Sequence, residues 1–363
     1  MEGMLFVRPA VMQDLPALAQ AARHLDSVNL PHDEDKLREA IARSQASFAE
    51  PAPDAPGGEF LFVLVERDAD DNERAVGSSM IFAKHGSRRA PHSYFDVIED
   101  ERYSETLDRH FRHKILRIGY NYEGMTELGG LVLLPEFRGH PERLGKTLVF
   151  VRFVYIALHR ARFRDQLVSE LMPPLEPDGT SLLWEALGRH FTGLSYQEAD
   201  RLSRENKEFI RTLFPQDPIY ATLLPAQAQA LIGQVGPHTK AVEKMLTGAG
   251  FRYAQRIDPF DGGPHFHART DELLPIQRAR RLRVRDIHPA PATTNPASAG
   301  PMALVAAVRA TPPYFLAVRC PIADADLGDD GEIAGPSAGI SLPAALAAQL
   351  QVVPGDEVGL LPL

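Results

Sequence analysis

Apolar positions along this chain recur at two spacings, alternate residues and every third or fourth, and each change of spacing marks an element. Leu5-Phe6-Val7-Arg8-Pro9 reads as a short strand. Asp14 then precedes Leu15, Leu18, Ala19 and Ala22, a single apolar stripe at helical spacing with an N-cap in front of it. A second amphipathic helix is predicted over 36–47, with Leu37, Ala40, Ile41 and Ser44 on one side. Residues 60–65 and 75–82 are strand-like, and the charged turn 68–74 joins them as a hairpin. The run TELGGLVLL over 126–134 is a buried strand with paired glycines, stopped by Pro135. A long helix over 144–163 and a strand over 167–171 follow. Residues 182–189, 196–205 and 239–247 read as helices; Gly248 and Gly250 close the last, and Phe251-Arg252-Tyr253 opens a strand. Strands alternating with helices in this way predict an α/β (α+β) fold, a mixed sheet flanked by helices.

Two segments are loops by composition: 49–58 (AEPAPDAPGG) and 288–301 (HPAPATTNPASAGP), the second of low complexity and expected to be mobile. The character of the chain changes near Asp271. Strand-like stretches at 302–309 and 314–319 lead to a tail from Ile340 with a strand, a short helix and a Pro354-Gly355-Asp356 turn. This pattern predicts a small C-terminal β-barrel domain over 271–363 beside a first domain over 1–270; a C-terminal extension packed on the first domain is the alternative. Arg278, Arg280, Arg281, Arg283 and Arg285 form a basic run, read as a solvated or interface segment joining the two.

Composition narrows the function. Hydrophobic residues are 44% and charged ones 24%, the balance of a soluble globular protein. No apolar run approaches the ~18–20 residues of a spanning helix, and Arg8 comes too early for a secretory signal. Cys320 is the sole cysteine, which rules out an intrachain disulfide and a CxxC metal motif. A cytoplasmic location and no membrane partner are expected. The formal net charge of −9 argues against nucleic-acid binding but leaves room for a small anionic ligand.

The chemistry concentrates where the 126–134 strand turns into the 144–163 helix. Phe137-Arg138-Gly139-His140-Pro141-Glu142-Arg143-Leu144-Gly145 brings a helix N-terminus together with Arg138, Arg143 and Lys146, a combination suited to a pyrophosphate; ordinary turn chemistry is the plainer reading. The strand-turn-helix resembles that of acyl-CoA transferases of the GNAT superfamily, in which the pantetheine arm pairs with the strand and the pyrophosphate sits on the loop. Against the usual Arg/Gln-x-x-Gly-x-Gly/Ala pattern, Arg138 and Gly145 match the ends. Two residues are inserted between them, and Arg143 stands where the middle glycine would be. By this resemblance the main chain of Leu131, Val132 and Leu133 would meet the acyl-pantetheine. Glu127 would be a candidate base, or else a strand-end surface charge. His265 and His267 alternate as a strand would place them; with no third ligand at a supporting spacing they read as a structural pair, and no metal is predicted.

Longer strings resemble one family. NKEFIRTLFPQDPIYATLLPAQAQALIGQV (206–235), GFRYAQRIDPFDGGP (250–264), LWEALGRHF (183–191) and the tail around Pro354-Gly355-Asp356 are similar to arginine N-succinyltransferases. The resemblance implies a GNAT-like fold, succinyl-CoA as co-substrate with no bound cofactor, and L-arginine or ornithine as acceptor. It also implies a homo-oligomer or a heteromer with a paralogous subunit. It implies a histidine proton donor in a Val-His-Pro segment after IGQV, where this chain has Val235-Gly236-Pro237-His238-Thr239. His238, just ahead of a helix, is the candidate replacement, or else an exposed neighbour of the helix cap. A second departure follows Glu170, where Leu171-Met172-Pro173 replaces an expected Met/Leu-Arg-Gly. The expected reaction is direct transfer from thioester to amine, the amine deprotonated by Glu127 or through water, with His238 as acid. A different acyl-CoA or amine, and a catalytically silent paralogous subunit, are the alternatives.

Overall fold

The structure is a computed structural model that describes residues 4–23, 30, 33–50, 57–88, 90–203, 206–289, 301–322 and 339–363. Residues 51–56 and 290–300, which hold most of the two compositional loops, lie outside the described residues. The strands are β1 (Met4–Pro9), β2 (Glu59–Arg67), β3 (Glu73–Phe82), β4 (His92–Ser104), β5 (Arg109–Asn121), β6 (Thr126–Leu133), β7 (Gln166–Glu170), β8 (Ile219–Tyr220), β9 (Arg252–Ile257), β10 (Pro264–Arg269), β11 (Arg280–His288), β12 (Met302–Val308), β13 (Phe315–Pro321), β14 (Gly339–Pro343) and β15 (Glu357–Pro362). Three helices matter below: α1 (Leu15–Ala22), α2 (Glu34–Ala49) and α3 (Leu144–Leu158). Among the described residues no helix is long and apolar enough to cross a membrane. Contacts gather the chain into two compact units.

The first unit takes residues 1–83, 128–164 and 270–363. Its strands follow the order β14-β11-β15-β12-β13-β1-β2-β3-β6. The expected hairpin is present as β2 and β3, antiparallel from Glu59↔Phe82 to Arg67↔Glu73. Aromatic rings from four elements close the core: Phe62 meets Phe315 of β13 at 5.5 Å, and Tyr155 of α3 lies 5.0–5.3 Å from Phe48, Phe60, Phe62 and Phe315. Asp14 stands just before α1, yet its carboxylate makes no cap bond. It accepts from Arg8 at 2.7 and 3.0 Å and from the Val11 amide instead, because the buried Arg8 guanidinium is the stronger donor. The long helix stops at Leu158, five residues short of the predicted end, and a 3₁₀ turn at Arg160–Arg162 follows.

The strands after residue 271 fall in this unit together with β1, α1 and β2, where the sequence pattern predicted a separate small barrel. The link is β13, antiparallel to β1 with Val7 opposite Ala317. A pairing across that separation leaves no mark on local hydrophobic spacing. On β11 the arginine run alternates with buried Leu282 and Val284, so Arg281, Arg283 and Arg285 line an exposed face of this same unit.

The second unit takes residues 84–127 and 165–269. β6 begins in it, parallel to β7 at Thr126↔Leu167 and Glu127↔Val168, and the order runs on as β7-β10-β9-β4-β5-β8. β10 is antiparallel to β7, with His265 opposite Glu170. The core is built on Trp184, fully buried and stacked on Phe260 at 5.0 Å, with Phe95, Phe214 and Leu183 around it. The 183–191 and 250–264 strings supply the two stacked rings.

Candidate active site

In the first unit the strand-turn-helix is shaped by three backbone positions. Gly130 takes φ +56°, and a Cβ there would lie 2.6 Å from Met80 Cγ. Its carbonyl accepts from Ser78 Oγ at 3.0 Å. Leu131 and Leu133 are half-buried and Val132 is buried. After the strand, Arg138 donates from Nε to the Leu133 carbonyl at 3.1 Å, and Gly139 turns with φ +77°. Arg143 adopts φ 52°, ψ 50°, the left-handed conformation a glycine takes at little cost. It is the residue that replaces the middle glycine of the usual loop. The loop therefore places a cation at a left-handed turn.

Helix α3 starts there. The amides of Lys146 and Thr147 bond the Arg143 carbonyl, and nothing lies within 4 Å of where a Gly145 Cβ would be. The surface beside Gly145, in the first turn of α3, is thus uncrowded. Lys146 sits below its ordinary pKa, first through burial and then through the charges of Arg143 and Arg319. Arg319, from β13, was not singled out in the sequence. Its buried Nε has no hydrogen-bond partner among the described residues. Only the long-range pairing of β13 brings it beside Lys146, so no local motif announces it.

In the second unit Glu127 is 3% exposed at the start of β6 and pairs with His85 Nδ1. It is a buried carboxylate, not a surface charge. Around it the structure gathers side chains far apart in sequence. His92 Nε2 is 2.6 Å from Glu170 Oε1, and His265 Nε2 is 3.6 Å from the same oxygen. The His85 ring meets the His92 ring edge-on at 4.5 Å, and His92 stacks on His265 at 5.1 Å. Burial opposes a charge on His85, but the Glu127 and Glu170 carboxylates outweigh it and raise its pKa. His92 is lowered by burial, only partly offset by Glu170. Burial takes His265 down to about 3. Asp258 is raised to about 7 by burial and by the nearby Glu170 charge, and Asp261 is raised by burial and by Asp258.

The expectation for His265 and His267 needs correcting. Partners absent from the local spacing are supplied by β7, by the segment entering β4, and by the Asp258 turn. His267 stands apart from them, its ring 6.4 Å from that of His265. His85 and His92 went unnoticed because neither lies in a recognisable motif.

The two departures from the family pattern are in contact. The Gly236 amide donates to the Met172 carbonyl at 2.8 Å, and Thr239 Oγ1 donates to the same carbonyl at 2.9 Å. A Cβ on Gly236 would lie 2.7 Å from the Pro173 carbonyl oxygen and 2.9 Å from that of Met172. No side chain fits at 236 against this backbone. His238 is exposed, on the 3₁₀ turn Pro237–Thr239 that leads into the helix Lys240–Ala249.

Comparison with known proteins shows the family. The sequence profile described as "Arginine N-succinyltransferase beta subunit" matches residues 5–274. Arginine N-succinyltransferase subunit beta of Pseudomonas aeruginosa is 34% identical over 281 residues, which cover 77% of this chain and 80% of that protein. Subunit alpha from the same organism is 33% identical over 303 residues, 81% and 86% of the two chains. Among solved structures, arginine/ornithine succinyltransferase subunit AI from Pseudomonas aeruginosa superposes with a TM-score of 0.78 at 29% identity, covering 99% of each chain. The fold is accordingly a mixed α/β, GNAT-like one.

Proposed function

We propose that this chain, which belongs to the arginine N-succinyltransferase family, transfers the succinyl group of succinyl-CoA to the α-amine of L-arginine. The observation that carries the donor assignment is Arg143: a left-handed turn at the position of the loop glycine, opening onto the N-terminus of α3. Arg138, Gly139, Arg143, Gly145 and Lys146 then hold the CoA pyrophosphate, with Arg319 adding charge beside Lys146. The main chain of Leu131, Val132 and Leu133 receives the pantetheine arm and donates to the oxyanion that forms on the thioester carbonyl. Charge-assisted contacts contribute about 1.5–3 kcal/mol each. Arg138→Ala is therefore expected to weaken CoA binding about tenfold, in calorimetric titration, and the loss should shrink as salt is added. Unchanged affinity would move the pyrophosphate off this loop.

In the transfer step Glu127 accepts a proton from the attacking amine, the nitrogen–carbon bond forms, and the carbon–sulfur bond breaks. His238 delivers a proton to the departing thiolate, giving free CoA and the succinylated amine. No covalent intermediate on the protein is required. The sole cysteine, Cys320, is held as a thiol by burial, its pKa pushed up to about 12. The reading is tested by release of free thiol from succinyl-CoA with L-arginine, with ornithine and other amines run in parallel. Preference for another amine would keep the fold and chemistry and change the acceptor.

One observation favours a second reading, a catalytically silent subunit that works with a paralogue: Gly236 stands where the family resemblance implies the histidine, and the backbone there leaves no room for one. Relatives carry both alpha and beta subunit names. On either reading the chain assembles in the cytoplasm with further copies of itself or with a paralogous chain. Thiol release by the chain on its own excludes the silent-subunit reading; release only after mixing with a paralogue supports it.

A further inference from the structure

We propose that His85, His92 and Glu170 bind one divalent transition-metal ion of the zinc class, with His265, on the other side of Glu170, closing in as the fourth ligand, a site that meets the reaction above only at Glu127, the partner of His85. Glu170 Oε1 is its hub, 2.6 Å from His92 Nε2 and 3.6 Å from His265 Nε2. His85, His92 and Glu170 each offer a ligand atom within 4.8 Å of the others, and so do Glu170, Asp258 and His265. Tetrahedral zinc with bonds of ~2.0–2.2 Å separates its ligand atoms by roughly 3.3–3.6 Å. The separation of His265 from Glu170 already matches, and its ring must close toward His85 and His92, which form a group with Glu170 that does not include it. The His92 hydrogen bond must lengthen by somewhat under about 1 Å, a side-chain adjustment, to admit the ion.

An independent observation points the same way. His265 has no solvent exposure, and neither of its ring nitrogens has a hydrogen-bond partner among the described residues. Leaving a buried polar group unsatisfied costs about 1–3 kcal/mol, and ligation through Nε2, which faces Glu170, removes that cost at this nitrogen. Three imidazoles and one carboxylate favour zinc, cobalt or nickel over magnesium or calcium, which prefer oxygen. Charge agrees: Glu170 and Asp258 are half-buried carboxylates beside each other, and a divalent ion offsets both. The outer contacts are also in place. Glu127 pairs with Nδ1 of His85, which orients that ring.

The test uses the full chain, stripped with EDTA and titrated with Zn²⁺ alone against a chromophoric chelator, so that the readout is independent of turnover. One equivalent is expected at submicromolar affinity, and Co²⁺ in its place should give the intense visible bands of a tetrahedral site. Glu170→Gln and His265→Asn should each weaken binding by at least about 100-fold, since loss even of outer contacts costs 10–100-fold. His110→Ala, at an exposed position of β5, should bind as the parent does. Circular dichroism checks that the variants fold. If they do not, anomalous scattering at the zinc edge from crystals of the unaltered chain locates the ion. Uptake below one equivalent, retention by folded Glu170→Gln and His265→Asn, or an ion held by other residues would each overturn the proposal.

Discussion

Glu127→Gln is expected to lower kcat by about 10²- to 10⁴-fold, the usual worth of a general base, while affinity for succinyl-CoA stays unchanged. The expectation rests on burial and pairing. Glu127 is 3% exposed and bonded to His85, so its carboxylate is held in one orientation at the head of the strand that also carries Leu131 to Leu133. Glutamine keeps the volume and one acceptor oxygen but cannot take a proton. The loss should therefore appear in kcat and kcat/KM alike, with donor binding spared, the pattern of an interaction made in the transition state. Presteady-state thiol release and a direct binding titration measure the two quantities separately. A variant with parental kcat would show that the amine loses its proton elsewhere, to water or to another carboxylate.

What was legible in the sequence was what is local. The strand at 126–134, the Pro135 stop and the following helix are written in contiguous residues, and the structure reproduces them as β6 and α3. The β2–β3 hairpin is equally local. By contrast, β4 and β5 are thirteen residues each, paired from His92↔Asn121 to Ser104↔Arg109, and went unread. Only their base is buried; from Glu99 onward the β4 sequence EDERYS is polar and mostly exposed, so the alternation that marks a half-buried strand fades. The strands of the C-terminal segment were legible, but their joining to β1 was not. Val7 opposite Ala317 is a pairing 310 residues apart. The site divides the same way. Arg138, Arg143 and Lys146 lie in one loop and could be found together. His85, His92, Glu170, Asp258 and His265 come together only through the β7–β10 register, the segment entering β4 and the turn before β10.

His238→Ala is expected to lower turnover by about 10²-fold, the lower range for loss of a general acid, with succinyl-CoA affinity again intact. The stronger test asks whether the proton donor can be moved back to position 236, where the family resemblance implies it. The structure says that it cannot. Gly236 donates to the Met172 carbonyl at 2.8 Å, and its missing Cβ would be 2.7 Å from the Pro173 carbonyl oxygen, a distance at which backbone must shift. Overpacking of this kind costs about 1–3 kcal/mol, so Gly236→His should lower Tm by several degrees. In the His238→Ala background it should restore no turnover. The Met172-Pro173 segment is what excludes a side chain at 236, so the two departures from the family pattern belong together and should be reversed only together. Recovery of activity in the Gly236→His, His238→Ala double variant, at undiminished Tm, would show that 172–173 does not bar the position. Parental turnover in His238→Ala alone would take the proton donor away from this turn altogether.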